Sequence, residues 1–240
     1  MTRPGARLAC EVCVETPAGT RAARLAGADR IEVCASLPVG GVTPPVETVA
    51  AAIEASEGEL AVHVLVRPRP GDFVYSAAEI DAMLVSIEAV RALGVAGVVV
   101  GALTGQGAID ALVCGELVAA SRPTSVTFHR AFDSVRQPFS ALEQLIELGI
   151  DRLLTSGCET SALSGAALIG ELVRRAEKRI VVMAGGGVTP ENVVKVVRAS
   201  NADELHFSGR LHRTGEAEDR RWAARVADIV AAARRAAGAG

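Results

Sequence analysis

The amino-acid sequence predicts an α/β fold, a single closed parallel sheet of the (β/α)8 TIM-barrel type spanning residues 1–240 as one domain. Three observations carry this reading. Short β-rich runs alternate eight times with longer Ala- and Leu-rich stretches, the rhythm of a barrel rather than of separate sheets. Helix-start residues recur between the two kinds of segment. The first strand is followed by "VETPAG", which lacks the glycine fingerprint that a doubly wound nucleotide-binding sheet carries there. No nucleotide cofactor is expected.

The first unit sets a strand at 8–14 before a helix at 17–27, where Thr16 is the expected N-cap and Pro17 the first helical residue. The second pairs 29–34 with 44–57, and Thr43-Pro44 repeats the same signal. In the third, 60–67 precedes 76–92, and "SAAE" at 76–79 reads as a capping box between Ser76 and Glu79. The fourth and fifth pair 96–101 with 109–120 and 124–130 with 138–148. The sixth joins 151–155 to 161–176. The seventh joins 179–184 to 190–199 with Thr189-Pro190 as its start, and 202–207 with 218–236 completes the series.

Half of the residues are hydrophobic but only 3% are aromatic, and the formal net charge is −3. That composition fills a core without offering a basic stripe, so no nucleic-acid partner is expected. No apolar run approaches the ~20 residues of a membrane span, and the N-terminus has no signal-peptide stretch. A cytoplasmic protein without a membrane partner is expected. The five cysteines are an odd number, which argues against a disulfide framework.

Alternation along each strand sorts side chains between the helices and the barrel interior. With Val12 and Val14 facing the helices, Glu11 and Cys13 point inward. Ile31 and Val33 leave Glu32 and Cys34 inside, and Val62, Val64 and Val66 leave His63 and Arg67. The strand "VTFHRAFD" sends Thr127 and His129 inward, and "ELHFS" sends Glu204, His206 and Ser208. Taken singly, Glu11, Glu32, Arg67 and Arg69 fit a buried ion-pair network as well as a site. Taken together at the carboxyl ends of the strands, they point to a site.

Glu11, Glu32, His63 and His129 are the candidate acid–base groups. Arg67, Arg69, Asp72 and Arg130 are candidates for binding a small anionic ligand, with Thr155, Ser156, His206 and Ser208 beside them. The glycines Gly185, Gly186 and Gly187 of "AGGGVTPEN" expose backbone N–H groups in loop seven, and "FSGR" forms loop eight, where barrels bind phosphate. Arg130 is expected to fold over the rim onto Asp133. Cys10 and Cys13 face opposite sides of one strand, whereas Cys13 and Cys34 both end an inward Glu-x-Cys and could share a soft ion such as Cu(I). No lysine holds an inward strand position, which disfavours a Schiff base. A regulatory or assembly module would leave the inward charges unexplained.

The motifs "ADRIEVC", "GGVTPP", "VRPRPGDFVYS", "VTFHRAFD", "RLLTSG" and "VMAGGGVTPENV" resemble the CutC copper-homeostasis family, in order from about residue 8 to the eighth strand. Pro70 departs from the pattern, standing where the family usually has a glycine. The resemblance implies a (β/α)8 barrel, a cytoplasmic location, homo-oligomerisation and an association with copper tolerance. It also implies that Cys13 and Cys34 occupy the positions proposed to hold Cu(I). The alternative is a TIM-barrel enzyme, an isomerase, lyase or aldolase, acting on a small anionic or sugar-like carbonyl compound.

Overall fold

A computed structural model describes residues 7–208 and 216–238. Eight parallel strands close into a barrel in chain order: β1 Ala9–Val14, β2 Arg30–Val33, β3 Ala61–Leu65, β4 Gly97–Val100, β5 Ser125–Phe128, β6 Arg152–Thr155, β7 Val181–Gly185 and β8 Glu204–Phe207. The helices α1 Pro17–Leu25, α2 Val46–Ser56, α3 Ala77–Ala92 and α4 Ala111–Ser121 follow the first four strands. Helices α5 Pro138–Glu147, α6 Ala166–Ala176, α7 Val193–Ser200 and α8 Glu216–Gly238 follow the rest. The predicted architecture is the observed one.

The alternation read from the sequence holds. Val12, Val14, Ile31, Val33, Val62 and Val64 join the apolar core between sheet and helices, and Cys10 and Cys114 lie in that same core. Cys13 and Cys34 pack inside the barrel with Leu65 and Val99. The strand registers place inward side chains in layers of four, each drawn from alternate strands. From the N-terminal end the first layer is Arg30, Gly97, Arg152 and Glu204. Above it come Glu11, His63, Thr127 and Met183, then Glu32, Val99, Leu154 and His206, then Cys13, Leu65, His129 and Gly185.

The lower two layers form a charged floor. Arg30 donates Nε to Glu11 and Nη2 to Glu204, and its Nη2 also lies 3.4 Å from the Met183 sulfur. Arg152 donates Nε to Glu204 at 2.7 Å and reaches the Ser125 hydroxyl at 3.3 Å. Two arginines thus meet two glutamates, with Glu11 and Arg30 buried and Arg152 and Glu204 partly so. Glycines on β4 and just after it make room for the imidazoles beside them. A Cβ on Gly97 would come within 2.6 Å of the His63 ring, and one on Gly101 within 2.6 Å of the His129 ring.

A recurring aspartate ties strands together at the same end. Asp29 accepts from the Cys10 amide at 2.8 Å, Asp151 from Val126 at 2.8 Å and Asp203 from Val182 at 3.0 Å. Each precedes its own strand and clamps the strand before it.

Helix starts are partly as expected. Thr16 accepts from the Gly19 amide at 3.1 Å with Pro17 at the first turn, and Ser76 and Glu79 form the capping box. Thr43 is not a cap: its hydroxyl accepts from the Arg67 amide at 2.9 Å and donates to the Arg67 carbonyl at 3.0 Å, joining two loops. Thr189-Pro190 opens a turn rather than a helix. Asn192 accepts from the Thr189 amide at 2.8 Å and α7 starts one residue later. The helix expected from 161 begins at Ala166, because Gly157 and Gly165 pack backbone to backbone in the preceding loop.

Replacing Arg30 with Met strands Glu11 in the floor, while Glu204 keeps Arg152, and the expected loss is roughly 3–5 kcal/mol. Urea unfolding checks this, and a second substitution, Glu11→Leu, recovers part of the loss.

Candidate functional site

At the carboxyl ends of the strands the barrel opens into a cavity of about 530 Å³. Its walls include Cys13, Glu32, Cys34, Arg67, His129 and Arg130, and also Gly186, Gly187, His206 and Ser208. Phe73 from the loop after β3 and Arg225 from α8 complete the charged and aromatic lining.

Two of the four candidate acid–base groups are in this wall and two lie beneath it. Glu11 and His63 sit two residues N-terminal to Cys13 and Leu65 on their strands, one step toward the floor. Glu11 is wholly buried. Burial raises its pKa, but the Arg30 charge and the His206 hydrogen bond overcome that and hold the carboxyl well below the usual carboxylate range. His206 Nδ1 lies 2.7 Å from Glu11 and its Nε2 lies 3.6 Å from Glu32. Burial alone would lower the His206 pKa. The Glu11 hydrogen bond and the two carboxylate charges raise it instead. Glu32 shifts upward, through burial and the nearby Glu11 charge, against the pull of His206. The result is a carboxylate–imidazole–carboxyl chain running from the floor to the cavity.

The two inward thiols close this chain. Cys13 Sγ and Cys34 Sγ are 3.1 Å apart, and both cysteines are reduced. Donor atoms of Cys13, Glu32 and His206 all lie within 4.8 Å of one another. The hydrogen bond with Cys34, burial and the Glu32 carboxyl together raise the Cys13 pKa well above that of a free thiol. Soft thiols beside an imidazole and a carboxyl fit a soft monovalent metal ion, provided the thiol protons leave as it binds.

His129 caps the short 3₁₀ turn that follows β5, accepting from the Ala131 amide through Nδ1 at 3.2 Å. The ring proton therefore sits on Nε2, which has no hydrogen-bond partner. Burial, then the Arg67 charge, lowers the His129 pKa to about 3. His63 is lowered to about 4 by burial, despite Glu11 at 3.9 Å.

Several candidates serve the loops instead of the cavity. Arg69 pairs with Glu79 and Asp72 at the surface and bonds the Val74 carbonyl at 2.8 Å, so neither Arg69 nor Asp72 lines the cavity. Thr155 and Ser156 are taken up by Asp133. Its carboxylate accepts from both hydroxyls and from the Ser156 amide at 2.9 Å. Arg130 does fold onto Asp133, at 2.8 Å, and bonds Ser156 at 2.9 Å. Gly185 ends β7 with the Leu154 side chain filling the space before it. Residues 209–210 of loop eight lie outside the described residues. Sequence reasoning missed Arg30, Arg152, Phe73 and Arg225. The alternation that placed Glu32 inward also places Arg30 inward, so that signal was available.

A barrel with a polar, thiol-bearing cavity at its carboxyl face defines a class of ligand- or metal-handling α/β-barrel proteins. Within that class, residues 8–211 match the CutC family model. The chain is 46% identical over 203 residues to the human protein called copper homeostasis protein cutC homolog, covering 85% of this chain and 74% of that one. It is 44% identical over 206 residues to the CutC protein of Pasteurella multocida strain Pm70, covering 86% and 84%. Among solved structures, CutC from Streptococcus agalactiae superposes with a TM-score of 0.78 at 32% identity, covering 83% of this chain and 97% of that one. The protein belongs to the CutC family.

The depressed histidines set an acid limit. Each unfolded imidazole binds a proton near its ordinary pKa of 6.5, and the folded ones resist down to about 4 and about 3. Stability from this source is present above pH 6.5 and lost as pH falls through the folded values. In His63→Leu, urea midpoints measured between pH 6.5 and 4 should fall less steeply than in the native protein.

Proposed function

We propose that the protein takes part in copper homeostasis by holding Cu(I) between Cys13 and Cys34, with Glu32 and His206 as the adjacent donors. The observation that carries this is the 3.1 Å approach of two reduced thiols in the cavity wall. Copper is cargo here. Cys13 gives up its proton as the metal binds, and Glu32 and His206 offer donor atoms in the same cluster. His206 keeps its orientation through Glu11.

A cytoplasmic location fits a site built from reduced thiols. Among the described residues no helix is long and apolar enough to cross a membrane. A homo-oligomer is part of the same reading. Val85 and Leu112, on neighbouring helices α3 and α4, expose apolar side chains that a second copy could cover. The alternative reading, an isomerase, lyase or aldolase acting on a small anionic carbonyl compound, would draw on Glu32 and His129. Family membership favours copper handling over it.

Reduced protein should bind Cu(I) at about one equivalent per chain with affinity that falls as pH falls, because protons compete for the thiolates. Anaerobic titration against a Cu(I) chelator measures both. Cys13→Ser with Cys34→Ser should abolish binding, whereas Cys10→Ser, in the outer core, should leave it intact. Stoichiometry retained in the double variant sinks the assignment.

A further inference from the structure

The barrel neutralises the arginines on its floor, and among the described residues it leaves one at its mouth without a counter-ion. Arg30 and Arg152 each meet glutamates. Arg67 is only 6% exposed, yet among the described residues it forms no ion pair. Its guanidinium donates to the carbonyls of Gly41 at 3.0 Å and Gly71 at 2.9 Å, and more weakly to Val39 at 3.4 Å. Its Nε has no partner. Carbonyl dipoles orient a guanidinium but carry no net charge to balance it, and the Phe73 face at 4.9 Å adds only a cation–π contact. A buried charge left in this state is destabilising unless a ligand completes it.

Two further observations point to the same ligand. His129 is 5% exposed and carries on Nε2 a proton that no acceptor takes. Across the cavity, Arg130 lies flat against Gly186, where a Cβ would come within 3.2 Å of its Cζ. Gly186 and Gly187 hold φ of +109° and +67°, a conformation that favours glycine and lets backbone and guanidinium meet at the wall. Leu37, Leu65, Phe73 and Phe207 give the wall an apolar part, and Glu32, His206, Ser208 and Arg225 line the rest. A cavity of about 530 Å³ exceeds what a single ion fills and suits a small organic molecule.

We propose that this cavity binds a small organic oxyanion, a carboxylate or a phosphate ester, with Arg67 as its charge partner and the His129 Nε2–H as a neutral donor to it. Binding does not require metal and so goes beyond the copper reading. The anionic group completes Arg67, the apolar wall takes the carbon chain, and Arg130 closes the far side. A bidentate guanidinium contact is the geometry that carboxylates and phosphates share.

The test uses the full chain stripped of metal with a chelator, and pyruvate, glycerol 3-phosphate and inorganic phosphate as probes. Thermal shift and calorimetry should show binding of at least one probe at concentrations up to about 20 mM. Preference for pyruvate or for glycerol 3-phosphate separates carboxylate from phosphate recognition. Inorganic phosphate binding as tightly as either organic probe overturns the organic part of the proposal. Cys13→Ser with Cys34→Ser should retain the affinity while losing Cu(I), so failure of the copper reading and failure of this one are distinguishable. Arg67→Lys should weaken the probe about tenfold or more, since an ammonium does not reproduce the fork. If that variant does not fold, His129→Phe, which keeps a ring beside Phe73 and removes the donor, should weaken binding severalfold. No response to any probe, or native affinity in the folded arginine and histidine variants, overturns the proposal. So does loss confined to the cysteine variant.

Discussion

Arg30 bridging Glu11 and Glu204 is the interaction on which the upper half of the barrel depends. Without that guanidinium, Glu11 would be a carboxylate sealed from water beside another. With it, Glu11 stays ionised and orients His206, which in turn faces Glu32 and with Glu32 and Cys13 makes up the candidate metal cluster. The ion pairs of the lower layers thereby reach the cavity through His206, which Glu11 holds facing Glu32. Replacing this floor by hydrophobic side chains of similar volume could preserve the fold. It would leave His206 unanchored, which argues that the network is kept for the site rather than for stability.

The loops are built by a different rule. Asp133 gathers Thr155, Ser156, the Cys158 amide and Arg130, which ties loop five to loop six. Arg67 gathers carbonyls from the second and third loops, and Thr43 holds its backbone. Each device joins consecutive loops around the rim, so the cavity wall is continuous although it comes from separate turns. A charged group at the centre of several backbone bonds orders more chain than a packed side chain of the same size, because every bond fixes a direction as well as a distance.

Much of this was legible in the sequence, and the reasons for the rest are physical. Strand alternation placed Glu11, Cys13, Glu32, Cys34, His63, His129 and His206 correctly inside, because the opposite face of those strands is apolar. Alternation could not say how deep each residue lies. That is why Glu11 and His63, in the layer below, looked equivalent to Glu32 and His129. Arg69, Thr155 and Ser156 were read toward the cavity because they stand at strand ends, where local partners decide the outcome. Glu79, the capping-box residue, captures Arg69, and Asp133 captures the two hydroxyls. The repeated Asp before β2, β6 and β8 was visible as "ADR", "IDR" and "ADE", yet its role as a clamp on the neighbouring strand needs the sheet register to be seen.

One tension in the chemistry resolves on the same geometry. Arginines at a cavity rim repel a free cation, which sets Arg67 and Arg130 against any metal site. Cu(I) carries one positive charge, however, and two thiolates carry two negative ones, so the bound unit is a monoanion. Forming it inside a low-dielectric barrel requires losing thiol protons that burial holds in place. The Arg67 guanidinium, which pairs with no carboxylate among the described residues, would lower that cost. On the two proposals above, copper held between Cys13 and Cys34 and an organic oxyanion beside Arg67 would both enter the cavity as anions, and both would draw on the charge of the Arg67 guanidinium.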